Sequence, residues 1–324
     1  MRHSQSNRQQ VGGYTLIELL AVIAIITLLL GLLFPAVQKF RARGTELEVR
    51  HEIGQIETAI DGFKSTYQVS YLPSVFVLAY NYNSPNHPGM VDSRQYYARV
   101  WPKAFLTPGT APDNVPSAGY TRTPQGTLVT LDGNQALLFF LGGISPPTQN
   151  GSNPNGFTNS WQGNRTGFLN NPSNPFNRNA AGNLCGGNLS GETAKGPFYT
   201  FNPKRIDANG HYHDHHWLKD DPNSLNFNIY YYFSSKEGND YHYFGLYSSL
   251  IPTYNSSGGY GGMNPFVGPD GKYLNPSTCQ IISSGRDHIG GPGGTYPSGS
   301  YADSNAPGGG DDQANFKNNL LGGR

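Results

Sequence analysis

A chain of 324 residues with a formal net charge of +1 offers no bulk electrostatic case for binding nucleic acid or an acidic substrate. Charged residues make up only 13%, against about 25% in ordinary soluble domains. The 42 glycines, 24 prolines and 21 tyrosines describe a loop-rich, β-leaning surface protein, with length for one elaborated globular domain or two smaller ones.

The chain opens on a short polar leader. Gly13-Tyr14-Thr15-Leu16-Ile17-Glu18 follows, and then an apolar run, Leu19 to Val37, in which Thr27, Gly31 and Pro35 are the only residues outside the large apolar class and alanine. That run is long enough to cross a hydrocarbon core of about 30 Å as a helix. A cleaved secretory signal would have a shorter apolar region with a small-residue site after it. Here the glycine comes before the run. An ionisable group such as Glu18 at membrane depth is costly, which makes it a functional candidate.

Gly13 to Glu18 resembles the signature of type IV prepilins and type II secretion pseudopilins. The resemblance implies that a membrane peptidase cuts after Gly13 and that the new N-terminal amine of Tyr14 is methylated. Glu18 stands where the family carries its glutamate, and Pro35 where many members carry a helix-kinking proline. The departure is Tyr14, since phenylalanine is usual there. A carboxylate in lipid must be paired or neutralised. Cleavage creates an amine one turn from Glu18, and in a bundle Glu18 can pair instead with a neighbour's amine. Pro35 removes a helical N–H and lets the helix bend or locally melt as subunits pack.

Charge does not orient the segment by itself. Arg2 and Arg8 precede it, whereas Lys39, Arg41, Arg43 and Arg50 follow with Glu46, Glu48 and Glu52. The resemblance places the leader in the cytoplasm, and so implies a single-pass protein of the bacterial inner membrane with its C-terminal domain in the periplasm, or on a filament or cell surface. The expected organisation is leader 1–13, membrane helix 14–37, outer half of the helix 38–70, and a β-rich pilin-like domain 71–324.

Beyond the membrane, Val49, Ile53, Ile56, Ile60, Phe63 and Tyr67 recur at spacings of three and four, an apolar stripe on one helix face. The stripe predicts a sheet packed on the helix. A coiled coil is the weaker reading, because Gly54 and Gly62 interrupt the helix and only about three heptads are present. Pro73 closes the helical region. Val75 to Tyr82 is apolar and of open type, with strand as one reading. Thr127 to Leu131 reads as a strand, Asp132 as the N-cap of a helix at Gln135 to Leu141, and Gly142-Gly143 as its stop. The stretch 145–194 is punctuated by Asn, Gly and Pro. Its aromatics favour an ordered surface insertion, with disorder as the alternative. Asn226 to Ser234 and Tyr241 to Tyr247 read as strands joined by Gly238-Asn239-Asp240, and Thr278 to Ser283 as a late strand. Strands after a long helix predict an α+β fold, the pilin arrangement of an N-terminal helix packed by its outer half on an antiparallel sheet. The specific resemblance covers about the first 55 residues, so much of the rest is insertion.

A second resemblance lies near the C-terminus. Cys279 to Gly291 and Gly309 to Phe316 are similar to the closing strand, loop and acidic-aliphatic-asparagine-aromatic motif of major pseudopilins. There the loop binds calcium, which implies Asp287, Asp311 and Asp312 as ligands. His288 replaces the usual glycine, and about twenty residues separate the two halves. Calcium favours such hard oxygens, with backbone carbonyls completing six to eight ligands; the plain alternative is an acidic turn. His211, His213 and His215 would share one face of a strand and could hold a transition metal, or lie in a solvated loop. Cys185 and Cys279 suit one disulfide outside the cytoplasm or two buried thiols. No H-E-x-x-H, G-x-S-x-G, Walker or C-x-x-C signature is present. The function expected is structural rather than enzymatic: a subunit processed by prepilin peptidase and polymerised with other pilin-like subunits into a pseudopilus or pilus. A membrane-anchored surface protein that binds glycan or metal is the second reading.

Overall fold

The computed structural model describes residues 15–79, 90–103, 128–143, 167–169, 194–207, 210–217, 228–236, 241, 263–286, 290–291, 293–297, 310–317 and 320–322. Two compact units are present, one ending at Leu47 and the other beginning at Glu48. Helix α1 spans Leu16–Tyr67, 52 residues.

In the first unit, Leu16–Phe34 is a 19-residue span apolar enough to cross a membrane, with none of it buried. The only hydroxyl within that span spends itself locally. Thr27 Oγ1 donates to the carbonyls of Ile23 at 2.6 Å and Ala24 at 3.0 Å, so the hydroxyl is satisfied without water. The backbone stays helical through Pro35.

In the second unit the stripe is buried as its spacing predicts. Val49, Ile56 and Phe63 are fully buried, Ile53 and Ile60 nearly so, and Tyr67 packs partly buried beside them. The two glycines do not interrupt the helix, because α1 runs unbroken through Gly54 and Gly62. Neither position is strained, and the packing on the opposite face supplies what the glycines lack in propensity. The helix stops at Tyr67, where Gln68 turns left-handed (φ 54°) and Val69 N–H donates to the Lys64 carbonyl at 3.1 Å. This is a Schellman closure, which satisfies a terminal carbonyl before Pro73 is reached.

Strand β1, Phe76–Ala79, settles the open segment after the helix as a strand. It pairs antiparallel with β2, Leu128–Leu131, in the register Phe76 to Leu131. Between them lies helix α2, Met90–Val100, whose Tyr96, Tyr97 and Val100 are buried. Asp132 then caps helix α3, Gly133–Gly142. Its side chain accepts from Gln135 N–H at 2.9 Å, and the Gln135 side chain accepts from Asp132 N–H at 3.2 Å, a complete capping box. Every residue of α3 but Gln135 is buried. It ends at Gly143 (φ 78°), where a Cβ would meet the backbone of Gly167 at 2.3 Å, so only glycine fits.

The central sheet has the order β5-β7-β9, with β5 Tyr230–Ser234, β7 Cys279–Ser283 and β9 Gln313–Ala314, all antiparallel. Successive side chains point to opposite faces. Tyr230, Tyr232, Cys279 and Ile281 join the core that holds the α1 stripe and α3. Tyr231, Phe233, Ile282 and Ala314 join a second core with Val75, Met263 and Phe266. Burial on both faces explains why these strands read as continuous runs rather than alternating ones. Two-residue pairs complete the described elements: β3 Phe168–Leu169 antiparallel with β4 Ala194–Lys195, and β6 Phe266–Val267 parallel with β8 Gly294–Thr295. The fold is therefore α+β and pilin-like, as expected, with α3 sharing the face of α1 that the sequence assigned to the sheet alone. Most of 145–194, with Cys185, and residues 242–247 of the expected later strand lie outside the described residues. Cys279 is a buried free thiol, which burial pushes up to about 12.

Phe63 lies at the centre of the aromatic packing, with ring centroids 4.6 Å from Tyr67, 5.5 Å from Phe140 and 5.3 Å from Phe198. Phe63→Ala should cost about 3–5 kcal/mol in denaturant unfolding of the detergent-solubilised chain. Leu47→Ala, at an exposed position, should stay within about 0.5 kcal/mol.

Candidate assembly site and the polar anchor of the domain

Thr15 and Glu18 close the start of α1. Glu18 Oε2 accepts from the Thr15 N–H at 2.8 Å and the Thr15 hydroxyl at 2.9 Å, while Thr15 Oγ1 accepts from the Glu18 N–H at 3.3 Å. This is a capping box with Thr15 as N-cap and Glu18 at the third helical position. The carboxylate also lies at the positive end of the helix dipole. The uncut chain thus carries an internal partner for Glu18, drawn from its own orphan N–H groups. Gly13 and Tyr14 lie outside the described residues, as does Asp287. Pro35 is within the unbroken helix.

A second carboxylate on the same helix has the opposite surroundings. Glu52 is buried (3% exposed). Arg205, in a 3-10 turn at Pro203–Arg205, grips it with both nitrogens, Nη1 at 2.8 Å from Oε2 and Nη2 on Oε1. The hydroxyls of Tyr199 (2.6 Å), Tyr212 (2.7 Å) and Tyr230 also donate to it. The guanidinium lies 4.5 Å from the Tyr212 ring centroid and donates to the His213 carbonyl at 3.0 Å. Burial alone would raise the Glu52 carboxyl, but Arg205 and the tyrosines outweigh it and hold the group below the usual carboxylate range. The three phenols are pushed upward, by burial first and the Glu52 charge among the rest, so they remain donors.

Next to this anchor runs a buried relay. His211 Nε2 lies 2.8 Å from Asp132 and Nδ1 3.4 Å from Asp207, whose same oxygen lies 3.3 Å from His213 Nε2. His213 stacks on Trp217 at 4.0 Å. Burial opposes charge on His211, yet Asp132 and Asp207 raise it to about 9. Asp207 is held well below its ordinary value, because the histidine hydrogen bonds outweigh burial. His213 is lowered, chiefly by burial. The expected strand face of His211, His213 and His215 is not formed: the segment makes only isolated bridges, Ile206 with Tyr212 and His213 with Ile229. Nor is it a solvated loop, since His211 and His213 are buried. Their rings are turned to carboxylates, and among the described residues no group of three His, Cys, Asp or Glu is placed to hold a metal ion.

The C-terminal resemblance finds a physical counterpart. Asp311 Oδ2 accepts from Arg286 N–H at 2.6 Å and Asp312 Oδ2 from Gly291 N–H at 2.9 Å. The two halves, distant in sequence, are brought together. Gly285 (φ 68°) allows the approach, since a Cβ there would lie 2.5 Å from the Asp311 carbonyl. The asparagine of the closing motif is structural: Asn315 Nδ2 donates to Glu57 Oε1 at 2.6 Å and to the Cys279 carbonyl at 3.0 Å, and its Oδ1 accepts from Ile281 N–H at 3.0 Å. It ties β7 to α1. Phe316 packs 5.4 Å from Phe266.

A family model, the prokaryotic N-terminal methylation motif, matches residues 8–34. The match spans the leader end, the capping box and the apolar helix. By its N-terminus the chain is type IV prepilin-like. No curated protein and no solved structure matches it. The prepilin motif makes the chain a substrate of the prepilin pathway, anchored by its N-terminal apolar helix, and it speaks for a structural subunit rather than an enzyme.

In this prepilin-like chain the sequence reading missed the Glu52 anchor. One signal was there to use: residue 52 lies three after Val49 and four before Ile56, on the face of the stripe, where a charge must be paired. Nothing in the sequence named Arg205, Tyr199 or Tyr230 as its partners.

Stability should fall on both sides of neutrality. The folded chain keeps the His211 proton to about 9, while an unfolded histidine releases it near about 6.5. That contribution is full below about 6.5 and is lost as pH rises through about 9. Asp207 and Glu52 are depressed, so their contribution is present above the ordinary carboxylate range and is lost as pH falls. Lowered His213 adds to the acid loss. In urea melts from pH 6.5 to 9, His211→Gln should flatten the decline that the native chain shows.

Proposed function

We propose that this chain is a structural pilin-like subunit, cleaved after Gly13 by prepilin peptidase, methylated on Tyr14, and polymerised into a pseudopilus or pilus of a type II secretion-like system. The observation that carries the reading is Glu18: a carboxylate in the first turn of an exposed apolar helix, within the matched N-terminal methylation motif. The same reading places the anchor in the bacterial inner membrane and residues 48–324 in the periplasm.

The chemistry follows from partners. In the uncut chain, among the described residues, Glu18 is held by the Thr15 donors. Cleavage adds a charged amine at Tyr14, a stronger partner for a carboxylate than a neutral donor. In low-dielectric surroundings an unpaired charge is costly. Glu18 of one subunit and the amine of the next therefore set the axial register, and the Thr15 contacts keep the carboxylate satisfied until that exchange. Pro35, lacking an N–H, is where α1 yields as neighbours pack. Other pilin-like subunits are the partners.

Calcium on Asp287, Asp311 and Asp312 belongs to the same proposal. It is supported by the closure of the Gly285 loop on the Asp311-Asp312 turn, although one oxygen of each described carboxylate already takes a backbone N–H. Bound calcium would cross-link the two halves of that loop, with a calcium-dependent rise in melting temperature as its signature.

Glu18→Ala should leave the residue 48–324 unit folded, as judged by near-ultraviolet circular dichroism, because Glu18 is exposed and, among the described residues, bonded to Thr15. It should reduce filaments seen by electron microscopy at least tenfold. Equal filament yield from Glu18→Ala and the native chain would count against the register role.

A further inference from the structure

His215 stands apart from the other histidines of its segment. Its side chain is 32% exposed, and its two ring nitrogens face two different carboxylates of α1: Nδ1 lies 3.4 Å from Glu48 Oε2 and Nε2 lies 3.2 Å from Glu52 Oε2. A neutral imidazole has one N–H and one lone pair, and only the cation donates from both nitrogens. Both partners are acceptors. A neutral ring in this position would aim a lone pair at a carboxylate oxygen, and the two would repel. The arrangement is an ion pair only while the ring carries its proton. Unlike buried His211, this ring can exchange its proton with solvent, and imidazole is the side chain that ordinarily changes charge between pH 5 and 8.

We infer that His215 is a proton-operated latch that holds the 214–217 turn against α1 through Glu48 and Glu52. The surrounding charges favour a switch. Glu52 keeps its charge whatever His215 does, because Arg205 and the hydroxyls of Tyr199, Tyr212 and Tyr230 serve it from three other parts of the chain. Glu48 is the loose end, with its side chain 64% exposed. On the turn itself, Asp214 is buried and bonded to Ser283 Oγ, and the His216 ring lies 3.5 Å from Asp214. Protonated His215 thus completes an alternating series, Glu48, His215, Glu52, Arg205. When it loses the proton the Glu48 contact goes first. The turn is then held by its remaining backbone ties, His216 N–H on Asp214 Oδ1 at 2.8 Å and Asp214 N–H on the Asn228 carbonyl at 2.7 Å. The domain grips the Glu48–Glu52 turn of α1 more tightly when His215 carries its proton.

Hydrogen exchange of the detergent-solubilised full chain tests this at pH 5.5 and 8, corrected for intrinsic rates and read in the peptide covering 211–217. Protection there should fall roughly two- to fivefold at the higher pH, the size of an exposed ion pair. His215→Asn should lower protection at pH 5.5 and leave only the smaller pH dependence that His211 carries. Glu48→Lys, at an exposed position, should lose protection at pH 5.5 with near-ultraviolet circular dichroism unchanged. Equal corrected exchange at the two pH values in the native chain would overturn the latch. So would a pH dependence undiminished in His215→Asn, since His211, His213 or His216 would then carry all of it.

Discussion

Inside a bilayer a polar group has no water to fall back on, and that constraint organises the first half of α1. Leu16–Phe34 is about 28 Å of helix at 1.5 Å per residue, close to the thickness of a hydrocarbon core. Within it every polar side chain is turned inward on the chain. Thr27 bonds the carbonyls of the preceding turn, and Glu18 is tied up with Thr15. Glu18 is the costly residue of this arrangement and so the informative one. An internal capping box keeps it tolerable in a lone subunit, while its charge makes a cationic partner worth finding.

The second half of α1 meets a different demand. It must hold a domain rich in loops, and it does so with an apolar stripe reinforced by two polar ties. Glu52 gathers Arg205 and three tyrosines from separate parts of the chain, and Glu57 takes Asn315 from the C-terminal motif. Buried ion pairs contribute little net stability when compared with apolar packing, but removing one partner is costly. Their effect here is on position. Each fixes the rotation of α1 against β5 and β7, so that Val49, Ile56 and Phe63 face the core.

How much of this was legible in sequence follows from which interactions are local. The membrane span, the stripe, the Asp132 cap and the run at β7 are set by spacing or by neighbours within four residues, and they could be read directly. Two-residue strands carry no periodicity, so β3, β4, β6, β8 and β9 left no trace. Helix α2 begins in a polar stretch and went unread. Gly54 and Gly62 do not break α1, because propensity is a weak prior beside a buried face. The histidine segment misled most. Its residue types suit a metal, but the partners that decide its chemistry, Asp132 and Glu52, lie 79 and 163 positions away from the histidines they meet. Long-range pairing of that kind is not encoded in local pattern.

The central claim is that the motif at residues 8–34 is used, and that Glu18 acquires a new amine beside it. Intact and tryptic mass spectrometry of the chain purified from membranes tests this directly. The account predicts a mature N-terminus at Tyr14 carrying one methyl group, with no peptide from residues 1–13 remaining attached. A membrane-embedded chain that still begins with the leader would contradict it.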